Sequence, residues 1–251
     1  MPLYYDSHIH LSDPEYAYYT DTILDCMESM RINACCVSMD NANSLQSLEL
    51  AKKSKFVLPF VGIHPECAHD DLQKMTSMIE EYHTKISGIG EIGLDPTYVD
   101  NEDDVKRQKH VFQTLLESAE KFGKPVSIHS RKSLDDVLEI MSSYKTEHAL
   151  LHWFDGNKKQ LRRAMDMGFF VSYGPVTVYA NDKQSLLSRT DQSKILVETD
   201  GPVRFSRCFE SKSGQLGFIP SVIFCAANIL DKSFDDMVCL LEENSKSYLG
   251  I

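Results

Sequence analysis

Two histidines near the start of the chain have the spacing of a metal-binding pair. His8 and His10 stand two residues apart, just after the short apolar segment Leu3–Tyr5. Side chains at this spacing project to the same side of an extended strand, so both imidazoles can hold one ion. The pair alone is weak evidence, because a surface turn can carry two histidines by chance.

Four further apolar segments end at a histidine or a carboxylate. These residues are Glu91, His129, His152 and Asp200. Imidazole and carboxylate are ligands that suit Zn²⁺, Mn²⁺ and Fe²⁺. With the first pair they make six candidate ligands, more than the three or four that one catalytic zinc takes, so we predict two divalent ions. A carboxylate can bridge two ions, and Glu91 is the candidate for that position.

Four other residues are candidates for contact with the substrate. His64 ends the third apolar segment, and Arg131, Arg204 and Arg207 lie on loops after the fifth and eighth segments. A guanidinium on such a loop can bind phosphate through two parallel hydrogen bonds. A solvated charge with no ligand is an equal alternative for each arginine.

One glycine pattern imitates a dinucleotide-binding motif. Gly88, Gly90 and Gly93 match GxGxxG, but that motif requires the glycines to open a helix. Here Asp95-Pro96 follows, and the residue before a proline disfavours helix. We therefore interpret the glycines as tight backbone at a strand end.

The elements that must position these residues alternate along the whole chain. Eight short apolar runs are separated by segments with helical spacing of apolar residues, and the runs are Leu3–Tyr5, Ala34–Ser38, Val57–Gly62, Ser87–Glu91, Pro125–His129, Ala149–His152, Phe169–Ser172 and Ile195–Glu198. Strands that alternate with helices indicate parallel βαβ units. Eight such units in this length favour a single (β/α)8 TIM barrel, formed by residues 1–251 as one domain, over an open doubly wound sheet, with the site at the carboxyl ends of the strands. Ser133 and Ser233, each followed three residues later by an acid, predict capped helix starts.

Composition limits the function without fixing it. The 251 residues include 26 Lys+Arg against 37 Asp+Glu, a net charge of −11. This excludes charge-driven coating of nucleic acid, which needs Lys and Arg, but not an enzyme that meets a phosphodiester through metal ions. No apolar run approaches the ~20 residues of a membrane span, there is no signal-peptide pattern, and the seven cysteines form no CxxC pair. We expect a cytoplasmic protein with no membrane partner.

The ordered motifs resemble those of the TatD-type metal-dependent deoxyribonucleases of the amidohydrolase superfamily. They cover nearly the whole chain: Asp6–His10, Gly62–Pro65, Gly90–Asp95, Gln108–Phe112, Pro125–His129, His152–Gly156 and Glu198–Pro202. The resemblance implies a TIM-barrel hydrolase in which His8, His10 and Asp200 hold one ion, His129 and His152 hold the other, Glu91 bridges them and His64 lies near the substrate phosphate. The chain departs from the family pattern at Asp95–Tyr98, Trp153, Gly201 and Val203–Phe209, which affects substrate identity and removes no ligand.

The expected activity is phosphodiester hydrolysis by a deoxyribonuclease that acts on DNA ends or short single strands with Zn²⁺, Mg²⁺ or Mn²⁺. Glu91 and Asp200 are the expected catalytic residues, Asp200 as ligand and as base for the attacking water. The alternatives are hydrolysis of another ester, phosphate ester or amide, such as an RNA-linked ester, and a non-catalytic scaffold subunit. Many amide-cleaving sites use a carbamylated lysine, and no lysine ends the fourth or fifth segment. Action within a larger repair or defence assembly is left open.

Overall fold

Eight parallel strands form one sheet whose order follows the chain from β1 to β8. The computed structural model describes residues 2–146 and 148–251. The strands are β1 Tyr4–Ile9, β2 Ile32–Cys36, β3 Val57–Val61, β4 Gly88–Gly93, β5 Val126–His129, β6 Ala149–Leu151, β7 Phe170–Tyr173 and β8 Ile195–Val197. Each overlaps one of the eight apolar runs, because strands covered on both faces are apolar throughout.

Helices follow the strands and cover the outside of the sheet. They are α1 Thr20–Met30, α2 Asn41–Lys53, α3 Leu72–Tyr82, α4 Glu102–Phe122, α5 Leu134–Met141, α6 Lys158–Asp166, α7 Asn181–Leu187, α8 Ile219–Ile229 and α9 Phe234–Leu249. After β8 the chain also forms an antiparallel hairpin, β9 Arg204–Phe205 with β10 Lys212–Ser213. The alternating pattern did not predict this hairpin.

The first and last strands of the sheet meet, so the sheet is nearly closed. The backbone N–H of Asp200 donates to the carbonyl oxygen of His8 at 2.9 Å. The backbone N–H of Thr199 donates to the Asp6 carboxylate at 3.0 Å. The prediction of a (β/α)8 TIM barrel is confirmed, and closure brings the carboxyl ends of β1 and β8 side by side.

The glycines of β4 allow close approach to neighbouring strands. Gly93 pairs with His129 in the parallel register, and a Cβ on Gly93 would overlap the His129 carbonyl oxygen. A Cβ on Gly90 would lie 2.8 Å from the Cβ of Ser127. No α-helix starts at these glycines. The next element is the short 3-10 helix Pro96–Tyr98, and α4 begins only at Glu102. The backbone therefore agrees with the sequence interpretation that these glycines do not form a dinucleotide-binding motif.

Apolar side chains fill both sides of the barrel wall. One cluster joins the strands to the surrounding helices. A second cluster uses the strand residues that alternate with the first and therefore point into the barrel; its members include Tyr5, Phe60, Leu150, Phe170, Leu196 and Tyr248 of α9. The polar side chains of the barrel interior lie beyond this cluster, at the carboxyl ends of the strands.

No single helix among residues 2–146 and 148–251 is long and apolar enough to cross a membrane. The segments Leu216–Ile229 and Phe234–Leu249 pass that test only as a pair, and they are bent by 107°.

Candidate metal centre

The carboxylate of Glu91 lies between two groups of histidines. Glu91 is on β4 and is buried. Its Oε2 atom lies 3.3 Å from Nε2 of His8 and 3.2 Å from Nε2 of His10. Its Oε1 atom lies 2.7 Å from both Nδ1 of His129 and Nε2 of His152. One side chain thus joins donors that come from the first, fifth and sixth strands.

The first donor group consists of His8, His10, Glu91 Oε2 and Asp200. The Nε2 atoms of His8 and His10 are 3.3 Å apart, and each lies 3.5 Å from Oδ1 of Asp200. A tetrahedral ion with ligands at about 2.0–2.1 Å requires donors roughly 3.3 Å apart. The spacing within this group therefore fits a single ion.

The second donor group consists of His129, His152 and Glu91 Oε1. Nε2 of His152 lies 3.5 Å from Nδ1 of His129. Nε2 of His64 approaches the same atoms, at 3.3 Å from His129 Nδ1 and 3.6 Å from Glu91 Oε1. By distance alone, His64 could be a further ligand of this group.

The hydrogen bond at the other ring nitrogen of His64 decides between two roles for this residue, metal ligation and contact with the substrate. Nδ1 of His64 accepts the backbone N–H of Glu66 at 3.1 Å. Burial lowers the pKa of His64 to about 3, so the ring is neutral and its one proton is on Nε2. A protonated Nε2 donates hydrogen bonds and offers no lone pair to a metal. The geometry therefore agrees better with a substrate contact by His64 than with metal ligation.

The charges of the donors follow from burial and from their neighbours. Burial lowers the pKa of His8 to about 4, which leaves a neutral imidazole, the form that binds metals. Burial would also lower the pKa of His10, but contacts with Asp200 and Glu91 outweigh it and raise that pKa to about 9, so an ion bound here would displace a proton from His10. Burial would raise the pKa of Glu91, yet the surrounding histidines hold it well below its usual value. The Glu91 carboxylate is therefore ionised.

Residues outside the donor groups orient the histidine rings. Nε2 of His129 donates to Oδ2 of Asp95 at 2.8 Å, which leaves the Nδ1 lone pair directed into the second donor group. Nδ1 of His8 lies 2.8 Å from the Ser127 hydroxyl, which leaves Nε2 for the first. Such partners fix the tautomer and orientation of a metal-binding histidine. Sequence reasoning assigned no role to Asp95 or Ser127, although Asp95 stands in a quoted motif and Ser127 shares a strand face with His129.

Two buried carboxylates position the backbone around His152 and Asp200. Glu198 accepts the backbone N–H of Trp153 at 2.8 Å and the Ser172 hydroxyl at 2.5 Å. Asp6 accepts both the backbone N–H and the hydroxyl of Thr199, at 3.0 and 2.5 Å. Asp200 itself has a φ of 46°, a strained value for a residue with a side chain. These contacts hold the loops after β6 and β8 in place.

A cavity of about 970 Å³ opens above the donor groups. Its rim includes five carboxylates, two cations and two aromatic rings, namely Asp13, Glu66, Asp135, Asp136, Asp155, Arg131, Lys132, Tyr98 and Trp153. Arg131 follows β5, as expected from the sequence, and lines the cavity. The structure does not bring Arg204 to the cavity, because its position on β9 directs the guanidinium to Glu15, 2.8 Å away. A substrate contact by Arg204 stays a prediction.

A model of the family described as "TatD related DNase" matches residues 5–250. The chain is 25% identical to the "Uncharacterized metal-dependent hydrolase YabD" of Bacillus subtilis, over 98% of this chain and 99% of that protein. It is 26% identical to the "Deoxyribonuclease TATDN3" of Homo sapiens, over 78% of this chain and 77% of that protein.

A solved structure of YJJV, a TatD homolog from Escherichia coli, has the same fold. It superposes with a TM-score of 0.90 at 20% identity and covers 99% of this chain and 98% of that chain. At 20% sequence identity this similarity shows the shared fold and nothing further.

Proposed function

The chain belongs to the TatD-related DNase family, and on this premise we propose that it is a divalent-metal-dependent phosphodiesterase that cuts DNA at ends or in short single strands. One observation supports this most strongly: the two oxygens of the buried Glu91 carboxylate face different pairs of histidines. A bridging carboxylate between two donor groups is typical of two-metal hydrolytic sites.

In this proposal each donor group would hold one ion, and Glu91 is a member of both groups. The ligands are His8, His10 and Asp200 for one ion and His129 and His152 for the other. When bound, the two ions supply Lewis acidity toward water and toward the phosphoryl oxygens. The mixed imidazole and carboxylate set suits Zn²⁺ and Mn²⁺, and Mg²⁺ stays a candidate.

The proton chemistry falls to Asp200. Its side chain is 9% exposed and that of Glu91 is 2% exposed, although both line the cavity. Asp200 can therefore accept a proton from a water that enters the cavity, within the first donor group. Glu91 acts by holding the two donor groups at a fixed separation. The neutral ring of His64 donates its Nε2–H to a phosphoryl oxygen.

The charge around the cavity favours a small footprint on the nucleic acid. Carboxylates outnumber cations on the rim, and a long duplex laid across it would meet repulsion. Arg131 and Lys132 can still pair with one or two phosphates near the opening. The proposal therefore specifies ends or short single strands, and a tight, strongly salt-dependent duplex complex would count against it. The cytoplasmic location and any repair or defence assembly stay predictions.

Degradation of single-stranded DNA labelled at the 3′ or 5′ end tests the proposal. The protein is loaded with Zn²⁺, Mn²⁺ or Mg²⁺, and bound metal is counted by elemental analysis. We expect wild type to bind two ions and to shorten one labelled end, and Glu91→Gln and His129→Ala to lose both properties. Glu139→Gln is the control, since Glu139 is 78% exposed, pairs with Arg163 and does not line the cavity.

Two outcomes would overturn this assignment. If Glu91→Gln or His129→Ala cuts DNA as fast as wild type, the proposed site is wrong. A wild-type protein that binds none of the three metals removes the enzymatic proposal altogether. Hydrolysis of a carboxylic ester or an amide without cleavage of DNA would transfer the proposal to that alternative substrate class.

A further inference from the structure

The single tryptophan of the chain stands beside the metal centre. Trp153 directly follows His152, a member of the second donor group, and it lines the cavity. The mechanism above assigns it no role.

One face of the Trp153 indole is already covered. The ring stacks on Phe205, with centroids 5.5 Å apart and an angle of 21° between the planes. Phe205 is buried and is supported in turn by Phe209, whose ring centroid is 6.2 Å away. Trp153 is half-buried and lines the cavity, so the part of the indole that Phe205 leaves uncovered is accessible from the cavity.

The backbone that carries this ring is held in place. Trp153 has a φ of 42°, and its N–H donates to Glu198 at 2.8 Å. The same N–H lies 3.2 Å from the hydroxyl oxygen of Ser172. With this backbone fixed and Phe205 packed against the ring, the indole loses little conformational entropy when a ligand stacks on it. The strained φ also suggests that the ring's position serves a ligand.

We propose that Trp153 is a specificity-determining residue whose free face stacks on the base of the nucleotide bound at the metal centre. This rests on the proposed function and adds that the substrate must carry an unpaired base. Every base has a π-face, so the preference extends to all four bases and excludes sugar phosphates that lack one. A paired base in a duplex is already stacked and cannot use the platform without being unpaired.

Intrinsic fluorescence measures this stacking directly, because no other tryptophan contributes. The zinc-loaded protein is titrated with deoxyadenosine 5′-monophosphate and, separately, with 2-deoxyribose 5-phosphate, which has the same phosphate and no base. We expect saturable quenching by the nucleotide and an affinity about 5- to 160-fold above that of the sugar phosphate, the range that follows from base–aromatic stacking. Equal affinities, or binding of neither compound, overturn the inference.

Two substitutions separate stacking from packing, with affinities measured by calorimetry. Trp153→Phe keeps an aromatic face and should retain most of the wild-type ratio of nucleotide affinity to sugar-phosphate affinity. Trp153→Leu keeps apolar contact with Phe205 and should bring the ratio close to one. If Trp153→Leu preserves the wild-type ratio, the platform is wrong. Should that variant fail to fold, the wild-type and Trp153→Phe ratios still decide.

The DNA degradation assay distinguishes this inference from the proposed function. A wild-type protein that cuts DNA but binds nucleotide and sugar phosphate equally refutes the platform and leaves the phosphodiesterase standing. A protein that prefers the nucleotide but never cuts DNA refutes the phosphodiesterase and leaves a base-binding platform.

Discussion

Replacing Asp95 with asparagine would disturb the second donor group while leaving the first intact. Asp95 is fully buried and accepts a hydrogen bond from Nε2 of His129 at 2.8 Å. Burial would raise the pKa of Asp95, but hydrogen bonds from His129 and Thr97 lower it to about 2, so this carboxylate is ionised at neutral pH. An asparagine that presents its amide N–H to the same ring atom would move the imidazole proton to Nδ1. That proton would occupy the lone pair that faces Glu91.

The size of this effect follows from what such partners contribute elsewhere. Loss of a hydrogen-bonded partner of a metal-binding histidine typically costs 10- to 100-fold in metal affinity, about 1.4–2.7 kcal/mol. The loss should fall on one ion, because the first donor group is oriented by Ser127 through His8 and does not use Asp95. We therefore expect Asp95→Asn to bind one zinc ion at wild-type affinity and a second 10- to 100-fold more weakly.

Competition with a zinc-binding indicator at neutral pH resolves the two affinities. Thr97→Ala is the matched control, since the Thr97 hydroxyl donates to the other oxygen of Asp95 at 2.6 Å and does not touch His129. Two ions bound by Asp95→Asn as tightly as by wild type would refute the orienting role. An equal loss in Thr97→Ala would instead attribute the effect to the Pro96–Tyr98 turn.

Three further predictions concern stability. Asn101→Ala removes the side chain that accepts two backbone N–H groups at the start of α4, and urea unfolding should show a loss of about 1 kcal/mol. Leu150→Ala opens a cavity inside the barrel and should cost about 2–5 kcal/mol in the same assay, whereas Leu150→Met should cost less than about 1.5 kcal/mol. Burial raises the pKa of Cys36 from 9.0 to about 11, so the unfolded chain releases this proton first. Its contribution is therefore complete below pH 9 and is lost as pH rises from 9 to 11, by at most about 3 kcal/mol, and Cys36→Ala should flatten that part of the stability–pH curve.

Two serines show where local sequence patterns stop being sufficient. Ser133 and Ser233 are both followed by an acid three residues later. The hydroxyl of Ser233 accepts the backbone N–H of Asp236 at 3.1 Å, so the predicted cap is confirmed at α9. The hydroxyl of Ser133 instead donates to the carbonyl oxygen of Leu94 at 2.6 Å and makes no cap at α5. The capping prediction is wrong there because the Ser133 hydroxyl is hydrogen-bonded to Leu94, which follows the end of β4, instead of to the first turn of α5.

The sequence by itself determined the alternation of strands and helices and the kind of residue at the strand ends. Short apolar runs between helical segments predict parallel strands, whose carboxyl ends lie at one edge, so His8, Glu91 and Asp200 were expected to converge. Tertiary structure alone decided how the two oxygens of Glu91 divide between the donor groups. It also decided that Asp95 fixes the tautomer of His129 and that Phe205 supports Trp153. These are contacts between residues distant in the chain, and their atomic distances depend on strand register, barrel closure and loop paths that no local pattern encodes.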